Sequence, residues 1–463
     1  MLARCAAFVT LVAWCATARG EAPIVGSRTA RSIGRAGVGT VSDDGGGALL
    51  ANPAAIARRE STRIQFGLLF LDDEMFWVAA KTAPAALDQS SSRLVPQIAI
   101  EGAICNWVIG IGAGTSVRSE RAFRRPGRLP PSDFGNSFEY RYTGLAGAIR
   151  RDTLTAAGAH RLTDSVAIGV SLGTSRVSIR ESRRLWAGDV DRVVLGVPQP
   201  DLLGDPAHDV ELALTGTDNF SPSATAGVLI APEDSRIELG AAVMWSAPAR
   251  VTGDVESTNE DPDAKVRADT NAAHARLEVE QPIIVHTGVR WLGERVIGEI
   301  NGDLYWFPQR AAATEWNLSG VMLTDITTPT QPESVELPKL ASRISSRTHG
   351  ALRGAVDVEL IGGFLWATAG YAFTTSGTPD ARMSPTFGDL GGHTVGLGLE
   401  ATTGGFTVTL GWARTWSIKE AEPVSRWRLD NPFGSGDGMI ASGTYDGSTD
   451  MIGLSVDADL DAE

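Results

Sequence analysis

Three stretches of this chain carry residue types that could do chemistry. Gly169-Val170-Ser171-Leu172-Gly173 has the Gly-x-Ser-x-Gly spacing of a nucleophile elbow, where a serine is held on a sharp strand-to-helix turn. Gly34-Arg35-Ala36-Gly37-Val38-Gly39 is glycine-rich, as in loops whose backbone N–H groups hold phosphate. Asn259 to Asp269, NEDPDAKVRAD, offers carboxylates that could bind calcium loosely. None has the surroundings its chemistry needs. Ser171 sits mid-strand between alternating apolar neighbours, no strand precedes the glycines, and the acidic run reads as a solvated loop. His160, His208, His274, His286, His349 and His393 are scattered singly, without metal-ligand spacing. Asn317-Leu318-Ser319 is an isolated glycosylation triplet that carries no chemistry of its own. The residues therefore predict no catalytic group, no metal and no cofactor.

The first residues, MLARCAAFVTLVAWCATARGEA, set the compartment. Arg4 supplies a positive start, Cys5 to Ala18 an apolar run, and Ala16, Ala18 and Gly20 small residues for cleavage near Glu21. Residues 1–20 are thus expected to be a signal peptide, since the run is too short to span about 30 Å of hydrocarbon. Of the three cysteines only Cys105 would survive cleavage, which excludes a disulfide within the chain and a cysteine metal cage. The net charge of -14 argues against nucleic acid as a partner. No later stretch reaches the ~20 apolar residues of a membrane helix. An exported chain of 463 residues without a spanning helix can still cross a membrane as a closed β-barrel.

The strands show as a period of two. Phe406, Val408, Leu410 and Trp412 alternate with Thr407, Thr409, Gly411 and Ala413, and Leu352, Val356, Val358 and Leu360 oppose Arg353, Ala355, Asp357 and Glu359. Opposite each apolar stripe lie small, hydroxylated or oppositely charged residues, as a wet or crowded lumen would hold. Trp77, Trp107, Trp245, Trp291, Trp306, Trp412 and Trp416 fall near strand ends, where a membrane interface favours amphipathic rings. Short turns alternate with long polar loops, the asymmetry of outer-membrane barrels. About fourteen strands are expected, beginning near Arg63, Leu94, Asn106, Phe138, Ser165, Phe220, Arg236, His274, Arg295, His349, Phe364, His393, Phe406 and Thr444. The Phe138 segment is long enough for one broken strand or two. Residues 21–61 have no strand alternation; Asn52 is a good N-cap and Pro53 suits a first helical position. A segment that precedes strand one starts at the periplasmic end and can fold into the lumen as a plug, leaving 62–463 for the wall.

The chain then resembles the long-chain fatty acid transporters of Gram-negative outer membranes (FadL-like), a family that includes aromatic-hydrocarbon channels. Gly34-Arg35-Ala36-Gly37, then Asp43-Asp44, then Asn52-Pro53-Ala54 is similar to the family's hatch. TAGVLIAPEDSRIELGAAVMWSAPARVTGDVE, with its Ser246-Ala247-Pro248 exit, resembles the mid-barrel hairpin; EQPIIVHTGVRW, GDLYWF and AGYAFTTSGTPDARMSPTFGDLGGHTVGLGLE follow in family order. One departure is the ending SVDADLDAE, where outer-membrane barrels usually finish on an aromatic residue.

The resemblance implies a monomeric outer-membrane channel for passive uptake of hydrophobic molecules, not an enzyme. Its partners would be fatty acids or hydrocarbons, with outer-membrane lipid and lipopolysaccharide around it. It also implies sideways release through a wall gap beside a kink in strand three. There Gly110, Gly112 and Gly114 share a face, which either makes room for the plug or marks the kink. Glu181 to Asn219 reads as an outer loop rich in apolar residues: Leu185, Trp186, Val193, Val194, Leu195 and Val197 could capture a ligand, with Arg183, Arg184 or Arg192 meeting a carboxylate. The alternatives are a non-specific porin or adhesin on the same scaffold, which would lack a hatch. A hydrolase would need an inward nucleophile, base and acid at one level, and no such set stands out.

Overall fold

The computed structural model describes residues 29–43, 45–79, 90–122, 142–189, 191, 193–194, 196–198, 204–258, 264–307, 314–324, 326, 334–417, 427–433 and 439–460. The expected signal segment, Asp44 and Phe138 lie outside the described residues. Fourteen antiparallel strands form a closed ring. They are β1 (Arg63–Ala79), β2 (Ser90–Ile104), β3 (Trp107–Ala122), β4 (Ala146–Thr163), β5 (Val166–Trp186), β6 (Asp209–Ile230) and β7 (Ile237–Ser246), followed by β8 (Ile283–Leu292), β9 (Val296–Trp306), β10 (His349–Ile361), β11 (Leu365–Thr374), β12 (Gly392–Thr403), β13 (Phe406–Ser417) and β14 (Gly443–Asp459). Each pairs with its neighbours in sequence order. The ring closes where β1 meets β14 along its whole length, from Arg63 opposite Asp459 to Ala79 opposite Gly443. The last strand thus pairs on both sides although no aromatic residue ends it.

Alternation decides which side chains meet lipid. Ile109, Ile111, Leu172, Phe220, Leu397 and Leu410 point outward and are exposed, while Val108, Ser171, Arg353 and Asp357 point inward and are buried. A barrel needs this inversion, because the bilayer is the apolar solvent around it. Trp107, Trp245, Trp291, Trp306 and Trp416 are exposed near strand ends as expected. Trp77 is not. It is fully buried, because its odd position shares the inward face with Asp73 and Met75, and its ring packs near Tyr445.

The strand expected from His274 is interrupted. His274–Val279 stops before Gln281-Pro282, and the wall strand is Ile283–Leu292. His274–Val279 belongs instead to an outer sheet that hangs from the upper half of β6. That half pairs with Ala249–Thr258, which continues to His274–Val279, Glu315–Ser319 and Lys339–Ala341. The inner face of this sheet forms the largest apolar cluster, with Leu212, Leu214, Val251, Leu277, Trp316 and Leu340 in it. The expected loop 181–219 is shorter too: β5 runs to Trp186 and β6 starts at Asp209, paired residue for residue at the top.

Candidate functional site

The segment before β1 lies inside the ring. Helix α1 (Ala30–Gly34) touches β1 and β11 to β14; helix α2 (Ala48–Ala51) touches β3, β4 and β7; a 3-10 helix, Pro53–Arg58, touches β3 to β6. Thr29 caps α1 by accepting from Ser32 N at 3.2 Å. Asn52 caps the 3-10 helix, accepting from Ala54 N at 3.2 Å, and its amide nitrogen donates to Thr40 O at 2.9 Å and to Val228 O of the wall at 3.3 Å. Backbone comes close to wall where the wall has no side chain. A Cβ on Gly396 would stand 2.6 Å from Ile33 O, and one on Gly288 would stand 2.7 Å from Val41 Cγ2. Pro53 and Ala54 likewise lie against Gly169. The serine of the elbow-like motif is simply the next inward neighbour in that strand.

Charge fixes the segment further. Arg35 is 1% exposed and reaches Glu299 at 3.1 Å, Asp357 at 3.2 Å and the hydroxyl of Ser42. Val41 N donates to the other Glu299 oxygen at 3.0 Å. Arg58 meets Glu238 at 2.7 Å, and Arg290 shares that carboxylate at 3.1 Å. Arg353, bound to Asp303 at 2.8 Å, also donates to Ala36 O at 3.4 Å. Gly37, at φ +88°, turns the chain past that arginine, whose Nη1 would stand 2.9 Å from any Cβ there. Asp43 accepts from Gly45 N at 3.1 Å, and Gly34 packs on Gly398. Removing one partner of a buried pair costs ~3–5 kcal/mol, so these contacts define one seating. Glu238, Glu299 and Asp303 were not singled out in the sequence. The available signal was a charge on the face of a strand opposite the lipid stripe.

Backbone pairing between β2 and β3 covers only the lower part of the two strands. β2 pairs with β1 from Ser90 to Glu101, yet with β3 only from Gln97 opposite Gly114 down to Ile104 opposite Trp107. Pro96, which has no N–H to give, marks where that pairing ends. On the other side β3 shifts register against β4 between Thr115 and Val117. Above this point Arg93 and Glu120 span the seam through side chains, at 2.8 and 2.6 Å. Gly110 and Gly112 face inward and make room for Leu49 of α2, whose methyls would lie 2.8 Å from a Cβ at either; Gly114 is beside Gln97. Behind the seam is a cavity of about 40 Å³ lined by Leu49, Leu50, Gln97, Gly114 and Thr153. It has room for ordered water between the α2 backbone and the seam.

At the outer mouth the expected capture residues separate. Leu185 and Trp186 are buried on β5: Leu185 joins the outer apolar cluster, and Trp186 packs with Tyr142, Trp427 and Ile440. They are wall and packing residues, not an exposed loop. Arg184 is held by Glu211 at 3.3 Å and Asp209 at 3.6 Å, and Arg183 by Glu181 at 3.3 Å. Val193 and Val194 form a two-residue ribbon with Val197-Pro198, on which Val193 and Val197 are exposed. Leu195 and Arg192 lie outside the described residues. A polar knot ties this end together. Glu181 accepts from Trp316 Nε1 at 2.9 Å, Ser342 Oγ at 2.9 Å and Arg343 N at 3.0 Å. Arg343 meets Asp430 at 2.8 Å, and its guanidinium, like that of Arg382, stands 4.7 Å from the Trp427 ring. Burial pushes the Arg343 guanidinium down to about 10, against Asp430, so it stays charged at neutral pH.

Residues 9–295 match the family model described as "Outer membrane protein transport protein (OMPP1/FadL/TodX)". The chain belongs to the FadL/TodX family. Among solved structures, the FadL/TodX chain is similar to a Pseudomonas aeruginosa FadL homologue, at 15% identity over 96% of this chain and 100% of that one, with a TM-score of 0.70. It is also similar to the P. putida toluene transporter TodX, at 12% identity over 96% and 99% and a TM-score of 0.64. The CymD monoaromatic hydrocarbon channel follows at 11% over 95% and 99%, with a TM-score of 0.63. No curated protein sequence matches it. At these identities the FadL/TodX fold is shared while the lining residues are free to differ, so the inward carboxylates above must be argued from this chain alone.

Proposed function

We propose that this protein carries hydrophobic small molecules passively through the outer membrane, past an internal hatch (residues 21–61) and out sideways through the β2–β3 seam of the barrel (62–463). The observation that supports this most is the seam, where backbone pairing stops at Gln97 and Gly114 while both strands continue. With about 3.3 Å per residue and a tilt near 40°, Gly114 stands about 18 Å above the Trp107 turn, within an apolar band about 25 Å tall. An exit there delivers an apolar guest to acyl chains without crossing the periplasm. Each methylene moved from water to an apolar site gains about 0.8 kcal/mol, so an apolar conduit outcompetes a water-filled one for such guests.

Capture would begin at the exposed Val193–Val197 ribbon and continue along the apolar outer cluster. Arg183 and Arg184 are already paired with carboxylates, which favours an uncharged guest over a fatty-acid carboxylate at that point. Similar folds named as toluene and monoaromatic hydrocarbon channels fit an uncharged ring compound. A test uses proteoliposomes in a Cys105→Ser background. Bridging Arg93→Cys and Glu120→Cys with a reversible bifunctional thiol reagent should cut uptake of a hydrophobic ring compound at least tenfold, and reductant should restore it. Unchanged uptake removes the lateral route. Rapid sucrose entry into the same vesicles would favour the open porin instead.

A further inference from the structure

Five arginines stand together on the outside of the wall, just beyond the upper rim of the lipid-facing stripe. Arg93 is on β2, Arg118 on β3, Arg150 on β4, and Arg176 and Arg180 on β5. Strand register makes them neighbours: Arg118 is opposite Arg150, Arg150 opposite Ser178, and Arg176 opposite Asp152. Arg118, Arg150 and Arg180 line a cleft of about 410 Å³, with Ser178, Thr217 and Thr252 supplying hydroxyls. Their level is set by the residues below. Leu154, 50% exposed, is two outward positions beneath Arg150, and Leu172, 65% exposed, is two beneath Arg176. Phe220 continues the same stripe on β6.

The charge is not cancelled in place. Glu120 pairs with Arg93 and lies 3.6 Å from Arg118, Asp152 pairs with Arg150 at 2.8 Å, and Asp254 stands at the cleft rim. Five cations thus share three carboxylates. Arg176 and Arg180 make no ion pair among the described residues, and Arg118 Nε is buried without a hydrogen-bond partner. In a chain of net charge -14, such an excess at the rim of the lipid-facing surface invites an anion from outside.

We infer that this arginine cleft is a docking site for the phosphorylated sugar headgroup of a lipopolysaccharide molecule in the outer leaflet. Guanidinium forks match phosphate oxygens in pairs, the hydroxyls suit a sugar, and the acyl chains would lie down the stripe of Leu154, Leu172 and Phe220. The site stands whether or not the seam is an exit, because it rests on the outer face alone.

The detergent-solubilised protein, refolded without lipid, should bind bis-phosphorylated lipid A at least tenfold more tightly than its dephosphorylated form, read by native mass spectrometry. Excess inorganic phosphate should compete weakly, since it lacks the acyl chains. Replacing Arg118, Arg150 and Arg180 with Gln should remove that preference at least tenfold. An Arg250→Gln/Arg276→Gln control should keep it, with the heat-modifiable gel shift of a folded barrel in both. Equal binding of the two lipid forms by the unmodified protein would overturn the site without any variant. Complete displacement by inorganic phosphate at equal concentration would reduce it to a simple anion site and overturn the lipid assignment.

Discussion

Arg35 shows how single residues seat the N-terminal segment. Its guanidinium is the cation between Glu299 and Asp357, and all three are buried. Replacing it with Met leaves two carboxylates facing each other without a counter-ion, at a cost of ~3–5 kcal/mol. The expected result is faster hydrogen exchange across 29–58 while the wall strands keep their protection. Equal exchange in both proteins would mean that Arg35 does not anchor the segment. Wall glycines act by the opposite means, by having no side chain. Gly396→Val would drive atoms into Ile33 O and should release α1, lowering the melting temperature by several degrees, whereas Gly158→Ala, with nothing within 4 Å of its Cβ, should be close to neutral. The hatch-like Gly-Arg-Ala-Gly and Asn-Pro-Ala motifs were legible in the sequence, because capping and tight turns are local. Their partners Glu299, Asp357 and Glu238 were not, because each lies more than a hundred residues away and signals only a charge on the non-lipid face.

At the scale of elements, β5 and β6 are longer than their sequence suggested. The polar and charged residues of Glu181 to Asn219 imitate a loop, yet Val177 to Trp186 pair with Asp209 to Asp218 above the membrane. There the strands meet water outside and an apolar cluster inside, so alternation persists with its sides exchanged: Leu212 and Leu214 point inward. Trp186 therefore belongs to packing. Trp186→Ala should cost ~3–5 kcal/mol in the outer extension, visible as faster proteolysis there, with membrane strands intact. Val193→Asp with Val197→Asp should leave stability within about 0.5 kcal/mol and lower uptake of a hydrophobic probe. If uptake is unchanged, the ribbon is not the capture point. The interruption at Gln281-Pro282 has a local cause, and the Pro was visible, but which half joined the wall depended on what β7 could pair with.

For the whole molecule, the wall and its contents are complementary. Inward glycines leave hollows where the N-terminal backbone lies, and inward carboxylates face its arginines. Deleting residues 29–58 should leave a barrel that still shifts on a gel but admits sugars, measured as liposome swelling at a rate well above that of the intact protein. No change in swelling would mean that the outer extension alone closes the path. The sequence by itself determined the fold class, the number of wall strands, the faces of most of them and the family, because a two-residue period and an ordered set of turn motifs are properties of neighbouring residues. Tertiary structure alone decided that the β2–β3 pairing stops at Gln97, that the outer sheet branches from β6, and that five arginines converge on one outer face. Those are matters of register between strands, and register is set by how a closed ring shares its hydrogen bonds and fills its interior, which no single strand encodes.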